Sequence, residues 1–131
     1  MIQQRRKDYL QRLVEDFFTR FDELIRSNTD VSRKEKLCLL NDALLFFRDN
    51  FETSTSDTAD ILANKIGDMN LLEQYARLLL TQHQVVDIKQ PEQLYIAFDL
   101  VKYIDAIDTT YSWERVVLRE DILRLLNKNN V

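Results

Sequence analysis

The 131-residue sequence predicts an all-α fold, with about six helices packed as antiparallel pairs in a helical bundle or short α-solenoid. Three observations carry that expectation. Gly67 and Pro91 are the only glycine and the only proline, too few for the turns between strands, which draw on residues that reach positive φ without steric cost. Apolar residues recur at i, i+3, i+4 and i+7 through most of the chain, the period of a helix with one buried face. The stretches between these segments are short and polar, rich in Ser, Thr, Asn and Asp, whose side chains compete for backbone hydrogen bonds.

The elements follow in order. Leu10, Leu13, Val14, Phe17, Phe18, Phe21, Leu24 and Ile25 form the apolar stripe of a long first helix that stops near Ser27–Asn28. Ser32 followed by Glu35 reads as a capping box, opening a second helix through Leu37, Leu40, Leu44 and Phe47. Leu39, Leu45 and Phe46 lie elsewhere around that helix, which predicts cover on more than one side. The polar run Thr53 to Thr58 supplies N-caps for a short third helix from about Asp57 to Ile66, with Gly67 at its C′ position. Asn70 and Glu73 suggest a second capping box and a fourth helix through Leu72, Tyr75, Ala76, Leu79 and Leu80. Pro91 suits the first turn of a fifth helix, where its missing N–H costs nothing. Leu94, Ala97, Phe98, Leu100, Val101, Ile104 and Ile107 surround most of that helix, which predicts the most buried element. Ser112 caps a sixth helix from Trp113, fraying over residues 127–131.

The length suits a single helical domain over 1–131. Net charge is −4, and the acidity is central: residues 41–111 carry five basic and twelve acidic side chains. That balance argues against a nucleic acid partner, which calls for a basic stripe. The longest uniformly apolar run, Ala43 to Phe47, is far below the roughly 18 residues of a membrane span, so no membrane role is expected. Cys38 is the lone cysteine, expected as a buried structural thiol among Leu37, Leu39 and Leu40. A reducing, cytoplasmic setting fits it.

The chemistry of catalysis is missing from the pattern. His83 is the sole histidine, so no metal pair or Ser–His arrangement can be built on it, and it reads as a cation at the negative end of the fourth helix. Adjacent carboxylates such as Glu15/Asp16 and Glu120/Asp121 diverge by about 100° on a helix and describe a solvated face. Gly67 alone makes no phosphate-binding loop. Arg5, Arg6 and Lys7 with Arg33, Lys34 and Lys36 could form a small basic patch, though a solvated surface explains them as well. No cofactor and no enzyme activity are expected. Six phenylalanines, Phe17, Phe18, Phe21, Phe46, Phe47 and Phe98, read as core.

Leu71-x-x-x-Tyr75-Ala76, Leu94-Tyr95-x-Ala97-x-x-Leu100 and Tyr111-Ser112-Trp113-Glu114-Arg115 together resemble a tetratricopeptide-like (TPR-like) helix pair and the start of its successor, with Ala76 and Ala97 as the small residues of close helix approach. The glycine usual in that repeat is missing, and Gln82 to Gln90 is a longer connection than the repeat allows. Asp8-Tyr9-Leu10-x-Arg12-Leu13-Val14 resembles the opening of a family of uncharacterised bacterial proteins with TPR-like helices. The resemblance implies a fold and no particular activity. The expected function is a non-enzymatic scaffold that binds a protein or peptide, or pairs with itself as a homodimer. Tyr75, Arg77, Tyr103, Tyr111 and Trp113 are the candidate interface residues. The alternative is a regulator binding a small molecule or nucleic acid in an inter-helix pocket lined by Tyr75, Arg77 and Tyr103.

Overall fold

The computed structural model describes the backbone of residues 2–27, 30–86 and 89–129; the side chains of residues 2–7, 24, 25, 27, 30–33 and 129 lie outside that description. The proposed basic patch therefore falls largely outside it, since Arg5, Arg6, Lys7 and Arg33 are among those residues. Six helices and no strand are present among the described residues: α1 (Ile2–Ser27), α2 (Asp30–Phe51), α3 (Ala59–Ile66), α4 (Met69–Val85), α5 (Pro91–Ile107) and α6 (Trp113–Asn129). The chain divides into two compact units, residues 1–46 and 47–131, with the boundary inside α2.

In the first unit, α1 buries Leu10, Val14, Phe18 and Phe21, one stripe at helical spacing, and α2 buries Leu40 and Ala43. Phe17 and Phe46 are only half-buried. A groove of about 240 Å³ runs between the helices, lined by Leu13, Val14 and Phe17 of α1 and Leu39, Ala43 and Phe46 of α2. Cys38 is exposed, contrary to the expectation of a buried thiol. It lies two residues from Leu40, about 200° around the helix from the buried stripe, so its apolar neighbours do not carry it inward. The helix also starts at Asp30, two residues before the suggested Ser32 cap.

The second unit begins with the last turn of α2. Phe47 is fully buried, edge-on to Tyr75 of α4 with centroids 5.0 Å apart. α4 packs against α3, α5 and α6, and α5 packs against α3 and α6 as well. Ala76 and Ala97 are fully buried on α4 and α5. The more enclosed helix is α4, not α5. Its buried residues run from Leu71 to His83 around most of its circumference, whereas α5 leaves Tyr95 and Ile107 exposed and Phe98 half-buried.

Helix ends in this unit are set by few special residues. Gly67 ends α3 in the left-handed region (φ 73°), its N–H donating to Ala63 O. Glu52 ends α2 the same way (φ 58°), with its N–H on Arg48 O at 2.8 Å, although its Cβ makes that region costly. The cap of α4 is Asp68, whose Oδ1 accepts the Leu71 N–H at 3.0 Å, so Asn70 lies inside the first turn and the expected Asn70–Glu73 box does not form. Thr58 occupies the N-cap position of α3 without a side-chain hydrogen bond. At the end of α4 the Lys89 ammonium donates to His83 O and Gln84 O and takes the place foreseen for a cationic His83. Burial and the nearby Lys89 charge both push His83 below its usual pKa, toward the neutral form.

Candidate functional site

Where α5 hands over to α6, a turn without glycine is closed by side chains. The Asp108 N–H caps α5 through Ile104 O (2.7 Å), and Asp108 Oδ1 accepts the Thr110 N–H at 3.0 Å. Hydrogen bonds from the Thr110 N–H and the Thr110 side chain hold the Asp108 carboxyl below its usual pKa. Ser112 caps α6 as the sequence implies, its Oγ accepting the Arg115 N–H at 3.2 Å.

Arg115 then reaches back across the turn, its side chain only 8% exposed. Its Nε donates to Asp105 Oδ1 of α5 at 2.6 Å, and its Nη2 donates to Thr110 O at 2.8 Å and to Asp108 O at 3.5 Å. Its Nη1 lies 3.5 Å from Glu73 Oε1 of α4 and 3.7 Å from Asp108 Oδ2. One guanidinium fork therefore ties three helices and the turn together, a task suited to its planar array of five donors. Burial raises the Glu73 pKa above its ordinary value against the attraction and hydrogen bond of Arg115, with smaller additions from the like charges of Glu114 and Asp105.

Beside this brace lies a cleft of about 330 Å³ whose lining includes Asp105, Asp108, Tyr111, Arg115 and Arg119. The cleft lining is mainly polar, and exposed apolar residues flank it in sequence. Tyr111 is 73% and Trp113 64% exposed, and Ile107 and Val117 are exposed too. Trp113 and Val117 lie one turn apart on the outer side of α6, opposite the buried Leu118, Ile122 and Leu126.

Of the residues the sequence singles out, Tyr111 and Trp113 belong to this corner. Tyr75 does not lie on a surface: it is 2% exposed, packed on Phe47, with its hydroxyl bonded to Thr53. Arg77 is exposed on α4 and Tyr103 half-buried on α5. Neither the α5–α6 cleft nor the α1–α2 groove is lined by Tyr75, Arg77 or Tyr103. Sequence reasoning missed Asp105, Asp108 and Arg115 as a set. One signal was present, since a basic residue in the first turn of a helix opposes the dipole and calls for a compensating partner. Among the described residues, no three His, Cys, Asp or Glu side chains are grouped to hold a metal, and no helix is long and apolar enough to cross a membrane. No family model, curated protein or solved structure matches this chain.

Proposed function

We propose that this chain is a non-enzymatic protein-interaction module of TPR-like build, acting in the cytoplasm, whose contact surface is the α5–α6 corner. The observation that carries the reading is the pair Tyr111 and Trp113, two rings of the kind that anchor interfaces, held out at 73% and 64% exposure beside a cleft braced by Arg115. A rigid turn lowers the ordering cost of binding there. The exposed free thiol of Cys38 fits a reducing compartment.

Selection of a random peptide library on the purified chain tests this. Recovered peptides should lose binding to both the Tyr111→Ala and Trp113→Ala variants while keeping it to Tyr95→Ala, an exposed tyrosine on the outer side of α5. Peptides that bind all three variants equally would sink the corner as the contact surface. Sedimentation at micromolar concentration reads the self-association form of the same proposal, in which Trp113→Ala should convert a dimer to a monomer. For the alternative of a small-molecule regulator, the α1–α2 groove is the apolar one of the two cavities described above. An apolar dye whose binding is unaffected by Leu13→Arg would remove that alternative.

A further inference from the structure

We infer that the segment bound at the α5–α6 corner is cationic, a stretch of partner polypeptide that places a lysine or arginine side chain in the cleft lined by Asp105, Asp108 and Tyr111. The inference rests on the interaction-module reading above and adds the chemistry of the partner.

The argument begins with the guanidinium. Every nitrogen of Arg115 already faces an oxygen of the chain: Nε faces Asp105, Nη1 faces Glu73 and Asp108, and Nη2 faces the carbonyls of Asp108 and Thr110. Its Nε and Nη2 donate within the chain, and its Nη1 stands between the Glu73 and Asp108 carboxylates, which repel an incoming anion. An anion would instead meet the carboxylates of Asp105 and Asp108, which line the cleft with side chains 38% and 35% exposed. The remaining cation of the lining, Arg119, stands 3.9 Å from Asp105 Oδ2 with a side chain 42% exposed, a loose pair that an incoming cation can replace at little cost.

Two further features point the same way. The Tyr111 ring lines the cleft and the Trp113 ring stands next to its turn, and aromatic faces attract ammonium and guanidinium groups. Residues 47–131 carry nine basic and fourteen acidic side chains, a net charge of −5 that draws cations toward this unit. A polypeptide rather than a free amine is the occupant because a small amine would leave Trp113 and Val117 uncovered, whereas a chain continuing out of the cleft can lie over them.

Trp113 is the only tryptophan and follows Ser112 of the cleft lining in sequence, so its emission is the readout for a peptide that lies across the corner. The test titrates the full chain with a short synthetic peptide of Lys, Arg, Leu and Ser, with its counterpart carrying Glu in place of Lys and Arg, and with spermine. A saturable change is expected with the cationic peptide alone, weakening as salt is added. Asp105→Asn with Asp108→Asn keeps the acceptor oxygens of the turn and removes two charges, and should weaken binding roughly tenfold. Tyr111→Ala leaves the Arg115 contacts in place and should weaken binding too, with an unchanged thermal melt. Glu92→Gln with Asp99→Asn, which removes two exposed α5 carboxylates outside the cleft, should leave binding unchanged.

The inference is overturned if the acidic peptide binds as well, if spermine binds as tightly as the peptide, or if the Glu92/Asp99 pair matters as much as Asp105 and Asp108. It also fails if Tyr111→Ala has no effect. Library peptides that need Tyr111 and Trp113 but contain no Lys or Arg would leave the interaction module standing and remove the cationic partner alone.

Discussion

The α2–α3 and α5–α6 turns solve one problem with the same chemistry and reach different ends. Neither contains glycine or proline, and each is closed by a basic side chain from the following helix that donates back into the turn. At α2–α3, Lys65 of α3 bonds Glu52 O at 2.8 Å and Asp57 Oδ2 at 2.9 Å, while Asp57 Oδ2 accepts the Ser54 N–H at 2.8 Å. At α5–α6, Arg115 does the equivalent for Asp105, Asp108 and Thr110. The first turn sends two side chains inward: Thr53 and Asp57 are buried, and Thr53 is bonded to the Tyr75 hydroxyl, while the residues around them stay exposed. The second faces outward and presents Tyr111. A braced loop can serve packing or display, and the side chains hung on it decide which.

The comparison breaks most visibly at Arg115. Arg115→Met leaves Glu73 without its cation in a partly buried site and Asp105 with only the loose Arg119 pair, and should cost about 3 kcal/mol in denaturant unfolding. Lys65→Met removes a pair that is one-third exposed on the lysine side and should cost about 1 kcal/mol. Similar losses for the two would mean that Arg115 is no more than a surface brace.

The carboxyls that face the two basic side chains, Asp57 beside Lys65 and Glu73 of α4 beside Arg115, should respond oppositely to acid. Burial alone would raise the Asp57 pKa, but the hydrogen bonds from Lys65 and the Ser54 N–H and the Lys65 charge together hold it below its ordinary 3.8. Its contribution is full above that value and is lost as pH falls through the lower folded pKa. Glu73 is held above its ordinary 4.5, so its contribution is full below 4.5 and declines as pH rises through the folded value. Stability measured against pH should therefore lose its acid limb partly in Lys65→Met, and Glu73→Gln should flatten the decline above 4.5. Identical pH profiles for the two variants would contradict this account.

Smaller effects sharpen the picture of the helix ends. Glu52→Gly should stabilise by about 1 kcal/mol and Gly67→Ala should destabilise by about as much, since both positions are left-handed. A Cβ on Gly67 would meet nothing within 4 Å, so the second cost is one of backbone conformation alone. Least of all, Tyr111→Ala and Trp113→Ala should move stability by no more than about 0.5 kcal/mol, because exposed rings contribute little to folding.

Much of the architecture was legible because periodicity and punctuation are local. Gly67 and Pro91 sit at the helix ends expected of them, and Ser112 caps α6. Two of the features the sequence does not show, the role of Glu73 and the conformation of Glu52, have deciding partners distant in sequence. Glu73 was assigned to its own helix end and instead faces Arg115, 42 residues away. Nothing local marks Glu52 as left-handed, because the Lys65 ammonium that binds its carbonyl comes from the next helix. Cys38 was misread because its neighbours are apolar, and neighbours in a helix point in different directions. Of the site, the aromatic rings were visible in the sequence, but the carboxylates and the arginine behind them were not.

Lys65 reaches back across 13 residues to Glu52, so the length of chain between them is fixed by the span of one side chain. Connecting segments are ordinarily where a protein accepts insertions and drifts in sequence. In this chain that freedom moves to the helices: the outer positions of α5 can vary widely, while a single residue added between Glu52 and Lys65 would pull a lysine off its carbonyl.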